Sequence, residues 1–585
     1  MTGFLTTLAT IWRLAIPYFR YSEDRVAGRI LLAAIVAIEL AVVAVNVLIN
    51  QWNARFYNAL QDRNWDAFVT QLLIFCVLAG SYIVLVVYQL YLNQWLQIRW
   101  RRYMTTRYLA DWLGDGNHYR MQLTGDEADN PDQRIAEDVR QFIDGGSNGV
   151  GILPIGLGLL NAIVTLASFV VILWGLSEAA PLTIYGWTIQ GYLVWTALIY
   201  AIVGTLLTHL IGRPLTALNF LQQRYEADFR FHLVRVRENS EQIALLKGEM
   251  AERSRLMERF AAVVSNWLRI MTRTKQLTFL TASYNQASVI FPIVIVSPAY
   301  FAGLFQLGGL TQTASAFNSV QTALSFFINV YRSFAEWRAV IERIAGFEAS
   351  IAQANAIGTT GATIKLAAGD SAQIRLDGLD VSLPNGKPQV AADGIAFAPR
   401  DQVLVAGPSG SGKSTLFRAI SGIWPFGTGK VSLPPDAKVM ILPQRPYLPI
   451  GTLAAAVSYP AVADTFPAER IAELLVAVGL PGLAGRLDED AHWARMLSVG
   501  EQQRIAIARA ILHAPDYLLL DEASAALDEA SEAAAYTLLQ QRLPNAAIVS
   551  IGHRSTLAAF HKRRLTLVPE GERYRAREEA LNPAT

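Results

Sequence analysis

The stretch "DQVLVAGPSGSGKSTLFRAI", residues 401–420, reads as a β-branched strand, a glycine-rich turn and a helix in direct succession. It satisfies G-x-x-x-x-G-K-S at Gly407, Gly412, Lys413 and Ser414. Such a loop wraps backbone N–H groups around phosphates at the positive end of the helix that follows. The lysine then reaches the terminal phosphates, and the serine hydroxyl serves Mg²⁺. The loop residues Pro408, Ser409, Gly410, Ser411 and Thr415 complete the predicted nucleotide contact. A second element follows at "YLLLDEAS" (517–524), four apolar residues of a buried strand ending in Asp521 and Glu522. Asp521 is placed to serve Mg²⁺, and Glu522 to orient or deprotonate an attacking water. Around these two elements apolar strands alternate with amphipathic helices, the pattern of an α/β unit, predicted over 373–585. ATP and Mg²⁺ are the expected ligands.

Upstream the chain changes character. The whole sequence of 585 residues is 52% hydrophobic and only 17% charged, with mean hydropathy +0.28, too apolar for a chain wholly in water. A net charge of +2 argues against nucleic acid as the main partner. One cysteine, Cys76, excludes an intrachain disulfide, and its apolar setting predicts a small buried side chain. No short apolar segment with a small-residue cleavage site opens the chain, so no removable signal peptide is expected.

Apolar runs of roughly 20 residues, enough to cross a bilayer, occur near 30–49, 68–92, 150–176, 190–212, 276–306 and 311–335. They predict a six-helix membrane domain over 1–345, joined through an Ala/Gly/Thr-rich linker at 346–372. Before the first span, Phe4, Leu8, Ile11, Trp12 and Ala15 recur at helical spacing, as in a helix lying along the interface. Loops 97–149 and 213–275 are rich in arginine, whereas 50–67, 177–189 and 307–310 hold only Arg55 and Arg63. The positive-inside rule therefore predicts both termini and both long loops in the cytoplasm. Polar residues form two stripes. Glu39, Asn46 and Asn50 share a face of the first span. Asn318, Thr322, Ser325 and Asn329, with Gln321 beside them, share a face of the last. Such stripes suit a water-filled cavity, although Glu39 could equally be bonded to a neighbouring helix for structure alone.

With these elements in order, the chain resembles the ATP-binding cassette family along its whole length. Further motifs match: a glutamine at Gln444 in "ILPQRPYL", the signature "LSVGE" at 497–501, "SAALD" at 524–528 and a histidine at His553 in "SIGHR". The resemblance implies an exporter-like, type IV membrane fold followed by a P-loop ATPase domain. It assigns Gln444 to the Mg²⁺ and water side of the site, His553 to catalysis, and Ser498, Gly500 and Asp528 to nucleotide binding. It also implies a homodimer in which Ser498 and Gly500 contact the ATP held by the other copy. Two features depart from the family pattern. Val499 replaces the usual glycine, with Glu501 where glutamine is common, and Leu383 stands where an adenine-stacking aromatic is usual.

"NPDQRIAEDV" (130–139), "RYEADFRFHLVRVRENSEQIALLKGE" (224–249) and "FAEWRAVIERIAGF" (334–347) resemble two branches. One comprises the subfamily D acyl-CoA transporters, the other the SbmA/BacA-like bacterial permeases with fused ATPases. Both imply coupling helices in the cytoplasmic loops, placed here at Glu226, Ala227 and Phe229. The polar stripes favour the second branch. The expectation is a homodimeric, multi-pass transporter in lipid at a bacterial inner membrane, importing hydrophilic cargo such as peptides or cobalamin-like molecules. The alternatives are an acyl-CoA or lipid transporter acting outward, a proton-driven permease, and a regulatory ATPase that transports nothing.

Overall fold

In the computed structural model, residues 2–123, 130–146, 149–179, 181–184, 187–357, 363–462 and 464–580 are described. Side chains of 2–5, 182–184, 187–188, 216, 327–333, 335–336 and 580 fall outside that description. The chain divides into two compact units, residues 1–109 with 130–347, and residues 110–129 with 348–585.

The first unit is helical. It contains α1 (Thr2–Tyr21), α2 (Arg25–Gln61), most of α3 (Trp65–Leu113), α7 (Ile152–Ala179), α8 (Tyr192–Glu238), α9 (Ser240–Leu245), α10 (Glu249–Phe301) and most of α11 (Leu307–Ile357). Among the described residues, the helices of α2, α3, α7, α8 and α10 are long and apolar enough to cross a membrane. The sixth predicted segment lies in α11, where Gln312, Thr313, Asn318 and Gln321 dilute its hydropathy. The two long arginine-rich loops are largely extensions of these helices. α8 continues unbroken to Glu238, and α10 runs from Glu249 through Pro292 and Pro298. α11 continues to Ile357, through the first part of the linker-like stretch. Cys76 is exposed on α3, contrary to the buried placement expected from its setting. The apolar residues around it face outward too, as Val77 and Leu73 do.

Polar side chains inside this unit bond across helices, because hydrocarbon offers them no other partner. The Asn50 side chain (α2) exchanges two hydrogen bonds with Gln312 (α11), at 3.1 and 3.2 Å. Tyr200 (α8) and Tyr284 (α10) each donate to the other's backbone carbonyl, at 2.6 and 3.0 Å, with rings 4.4 Å apart. Gly204 permits this approach, since a Cβ there would lie 2.3 Å from the Tyr284 ring.

Between α3 and α7 the chain makes a short elbow of α5 (Pro131–Gln133), a π-turn over Arg134–Asp138 and α6 (Val139–Asp144). Gly145 ends it in the left-handed region at φ 82°, in a turn where a Cβ would lie 1.8 Å from the Val150 nitrogen. Asp138, 1% exposed, organises the elbow. It accepts from Arg134 at 2.5 Å and, through both oxygens, from Arg343 of α11 at 2.9 and 2.6 Å. Trp337 donates to the Phe142 carbonyl at 3.2 Å and stacks on its ring.

The second unit is built on an eleven-stranded sheet, in the order β3 (Lys365–Ala368), β8 (Gly427–Leu433), β4 (Ile374–Ser382), β5 (Pro388–Ala392), β15 (Arg573–Ala580), β14 (Arg563–Glu570), β7, β13, β12 and β9, with β6 (Ile395–Phe397) paired to β4. The strands that matter most are β7 (Gln402–Ala406), β9 (Val439–Leu442), β12 (Tyr517–Asp521) and β13 (Ala547–Ile551), all parallel. Their near-continuous apolar sequences fit a sheet buried on both faces. α12 (Lys413–Ile420) packs Leu416, Phe417 and Ile420 into one core. Trp493, Ile505 and Leu474 belong to a second core. α4 (Asn117–Leu123), which follows α3, belongs to this unit, and its Leu123 packs against the core containing Leu376 and Val381.

Asp138→Ala would remove the carboxylate that pairs with the largely buried Arg134 and release Arg343. Breaking a buried ion pair this way costs about 3–5 kcal/mol, so thermal unfolding in detergent should show a clearly lowered Tm. Glu342→Ala, which removes only a surface pair with Arg338, should leave Tm unchanged.

Candidate functional site

The parallel order β7-β13-β12 brings the ends of three strands to one edge of the sheet, where the predicted motifs meet. The loop after β7 delivers Gly407–Gly412 to the start of α12. Gly412 takes φ 90°, and a Cβ there would lie 2.4 Å from Val390 Cγ2, so the turn excludes any larger residue. Pro408, Ser409 and Gly410 are exposed at its tip, while Ser411, Lys413 and Thr415 are buried and Ser414 is half-buried.

Lys413 bends back so that its ammonium donates to the Gly407 and Pro408 carbonyls, at 2.9 and 3.0 Å. Burial pushes its pKa below the ordinary lysine range, against the opposing pull of the Glu522 and Asp521 carboxylates. Ser414 Oγ donates to Asp521 Oδ1 at 2.8 Å. Burial raises the Asp521 pKa, and the Ser414 bond lowers it. Two further groups have no hydrogen-bond partner among the described residues, the Ser411 hydroxyl and the Gln389 Oε1. Gln389 lies beside Gly412. A buried cation resting only on carbonyls, an orphan hydroxyl and a hydroxyl–carboxylate pair of hard oxygens fit a Mg·triphosphate. When bound, the ion would draw charge from the phosphates, and Ser414 and Asp521 are the residues to hold it.

Glu522 follows β12 with φ 51°, an uncommon conformation for a residue with a side chain. Its N–H donates to the Ile551 carbonyl at the end of β13, at 3.2 Å. Its carboxylate is bracketed, one oxygen accepting from Gln444 Nε2 at 2.9 Å and the other 3.1 Å from His553 Nε2. Gln444, Glu522 and His553 thus form one cluster, as their motif order implied. Backbone held this way orients a carboxylate for polarising a water.

The signature residues face elsewhere. Ser498 is the N-cap of α16 (Val499–His513) in a complete capping box with Glu501. The Ser498 N–H and hydroxyl both donate to Glu501 Oε2 at 2.8 Å, and these bonds hold the Glu501 pKa below the usual range. Val499 is exposed at the first helical position, so replacing glycine there creates no clash within the chain. A Cβ on Gly500 would come 3.3 Å from the Ala526 carbonyl. Asp528 caps α17 (Glu529–Arg542) by accepting from the Ser531 N–H at 2.7 Å. Leu383 is half-buried and packs against the sheet core, leaving apolar contact in place of a ring.

Gln503, unmarked by any motif read from the sequence, ties these pieces together. It is 1% exposed; its amide donates to the Gln444 carbonyl and accepts from the Ala526 N–H, both at 2.9 Å.

In the helical unit, Glu39 lies between α2, α3 and α7. It is 6% exposed, with Asn161 of α7 donating to one oxygen at 2.6 Å and Gln89 of α3 to the other. Buried polar groups demand such partners, so the residue knits three helices together. Asn46 is half-buried, Gln321 buried, Ser325 half-buried, and Asn318 and Thr322 exposed; the Asn329 side chain lies outside the described residues. Glu226, Ala227 and Phe229 lie inside α8, short of the hairpin's end. Glu226 is held by Gln222 and Phe229 by Phe260. The bare apolar side chains are instead at the turn between α9 and α10, where Leu245, Leu246 and Met250 are 76%, 82% and 73% exposed.

Fold and site together define an ATP-binding cassette fused to a membrane-spanning bundle. The ABC transporter transmembrane region 2 family matches residues 14–301, and the ABC transporter family matches residues 395–525. The chain is 34% identical to the inner membrane ABC transporter ATP-binding protein YddA of Escherichia coli, over 90% of this chain and 91% of that protein. It is 33% identical to the chloroplastic ABC transporter D family member 2 of Arabidopsis thaliana, over 96% of this chain and 86% of that one. Among solved structures, a bacterial Atm1-family ABC exporter with ATP bound shares the fold, at TM-score 0.69 and 17% identity over 95% of this chain and 96% of that chain. The chain belongs to the ATP-binding cassette transporter family. It is an ATP-driven half-transporter related to the D-family members, and its ATPase is coupled to transport.

Gln503→Ala would remove the hydrogen bonds to the Gln444 carbonyl and the Ala526 N–H, each contributing about 0.5–1.5 kcal/mol. ATP hydrolysis should fall about tenfold, while nucleotide affinity, set by Lys413 and the loop, stays nearly constant in equilibrium binding.

Proposed function

We propose that two copies of this chain form one importer, which moves large hydrophilic solutes such as peptides or cobalamin-like molecules towards the side bearing the ATPase units. The bracketed Glu522 carries the reading. Gln444 and His553 hold its two oxygens apart, poised over the loop that Lys413 and Ser414 close. In this reading Ser498 and the Gly500 amide complete the ATP held by the other copy. The exposure of Ser498 and Val499 at the start of α16 supports it, as does the absence, among the described residues, of any hydrogen bond between Ser498 or Gly500 and the phosphate loop. Ser414 and Asp521, with Gln444, would hold Mg²⁺, which would draw charge from the phosphates.

Closure of the two ATPase units on nucleotide, followed by hydrolysis at Glu522, alternates access to the bundle. The exposed Leu245–Leu246 turn transmits that motion by docking on the other copy's ATPase unit. The cargo assignment rests on Asn318, Thr322 and Ser325, a polar face of α11 that makes no cross-helix hydrogen bond among the described residues. The arginine asymmetry supports both termini on the cytoplasmic side, and the likeness to the inner membrane protein YddA of Escherichia coli supports a bacterial inner membrane.

Proteoliposomes with ATPase units outward and a fluorescent hydrophilic peptide inside test this reading. Added Mg·ATP should drive peptide efflux that Glu522→Gln abolishes. ATP-driven accumulation of acyl-CoA in the lumen without peptide efflux would replace it with an outward lipid or acyl-CoA carrier.

A further inference from the structure

As α3 leaves its apolar run, Gln94, Gln97 and Arg101 come round to one face at helical spacing. With Ile98, and with Arg140 and Asp144 of α6, they line a cavity of about 110 Å³. Arg140 Nε is buried there with no hydrogen-bond partner among the described residues. Among the described residues Arg101 gives one N–H away, to the Ala136 carbonyl at 3.3 Å. Asp144 already accepts the Gly146 N–H at 2.7 Å. Two guanidiniums against one carboxylate leave the cavity with one net positive charge. Its walls offer several unspent N–H donors and two side-chain amides, a set matched to a singly charged oxyanion.

The depth of the cavity narrows the anion. Trp100, adjacent to Arg101, packs on Tyr18 and Phe19 of the amphipathic α1, with ring centroids 5.5 and 5.1 Å apart. Tyr91 and Trp95 are exposed on the same stretch of α3, and Arg99 lies over the Trp95 ring at 5.4 Å. Arginine beside exposed tyrosine and tryptophan marks the level of lipid headgroups. An arginine pocket between helices at that level suits an anionic headgroup.

We propose that the Gln94–Arg101–Arg140 cavity binds a phosphodiester, supplied by the headgroup of an anionic phospholipid. Occupancy would give the elbow, and through Asp138 the α11 helix, a contact with the bilayer. The test is native mass spectrometry of the whole transporter after exchange into phosphatidylglycerol or phosphatidylcholine, with and without millimolar inorganic phosphate. The wild type should retain phosphatidylglycerol over phosphatidylcholine by roughly thirtyfold, the scale of two interfacial arginines. Arg101→Gln with Arg140→Gln should erase that preference while basal ATP hydrolysis confirms folding. Arg140→Lys, which keeps the charge, stands in if the double variant does not fold, and should keep part of the preference. Equal retention of both lipids, or undiminished preference in the folded double variant, overturns the proposal. Displacement of phosphatidylglycerol by inorganic phosphate alone would assign the site to a soluble phosphate and overturn the lipid source.

Discussion

The hydrogen bond from Ser414 to Asp521 joins the first turn of α12 to the end of β12 across the intervening strand β13. Everything chemical in the ATPase unit is registered against it. Because the three strands run parallel, residues just past their ends arrive at one edge of the sheet, where such folds bind ligands. Lys413 comes from the loop after β7, Glu522 from the residue after β12 and His553 from just beyond β13. The Glu522 N–H bonds to the last residue of β13, so the strained backbone at Glu522 is set by the same sheet register that delivers the histidine.

Two kinds of buried polar group distinguish structure from function in this chain. Glu39, Asn50, the Tyr200–Tyr284 pair and Asp138 are satisfied by side chains or carbonyls of neighbouring helices. Removing them would loosen packing, and they give no foothold to a ligand. Around the phosphate loop the balance is reversed. Lys413 has only carbonyls, and Ser411 and Gln389 keep atoms without partners. An unpaired buried group carries an energetic cost unless something supplies the missing partner. A bound triphosphate is that partner. The same contrast identifies the orphan Arg140 nitrogen on the elbow.

Motif order made the ATPase unit legible, because short spacings such as 407–414 and 521–522 determine local geometry that strands and helices preserve. The serine-to-glutamate spacing of 498 to 501 likewise carried the capping box, although Glu501 first reads as a departure from a signature. Long-range pairing was hidden. Glu39 shows its stripe in the sequence, but its partners Gln89 and Asn161 sit on other helices, and no periodicity reveals which helices adjoin. The charged run at 224–249 reads as a helical extension with Glu226, Ala227 and Phe229 as its coupling contact, and no spacing within it marks where the hairpin turns. The continuity of α8 carries the exposed apolar turn on to Leu245 and Leu246. Gln503 was invisible because its work lies between two loops that only the folded chain brings together.

The central claim is that each ATP site is completed by the second copy, and cross-linking between differently marked chains tests it most directly. Both chains would carry Cys76→Ala and Glu522→Gln, one with Ser409→Cys and the other with Val499→Cys. These two positions lie at the exposed tip of the phosphate loop and the exposed start of α16. Under mild oxidation with Mg·ATP, the account predicts a covalent dimer containing one chain of each kind, formed only when nucleotide is present. A mixture that stays monomeric with Mg·ATP bound would contradict it.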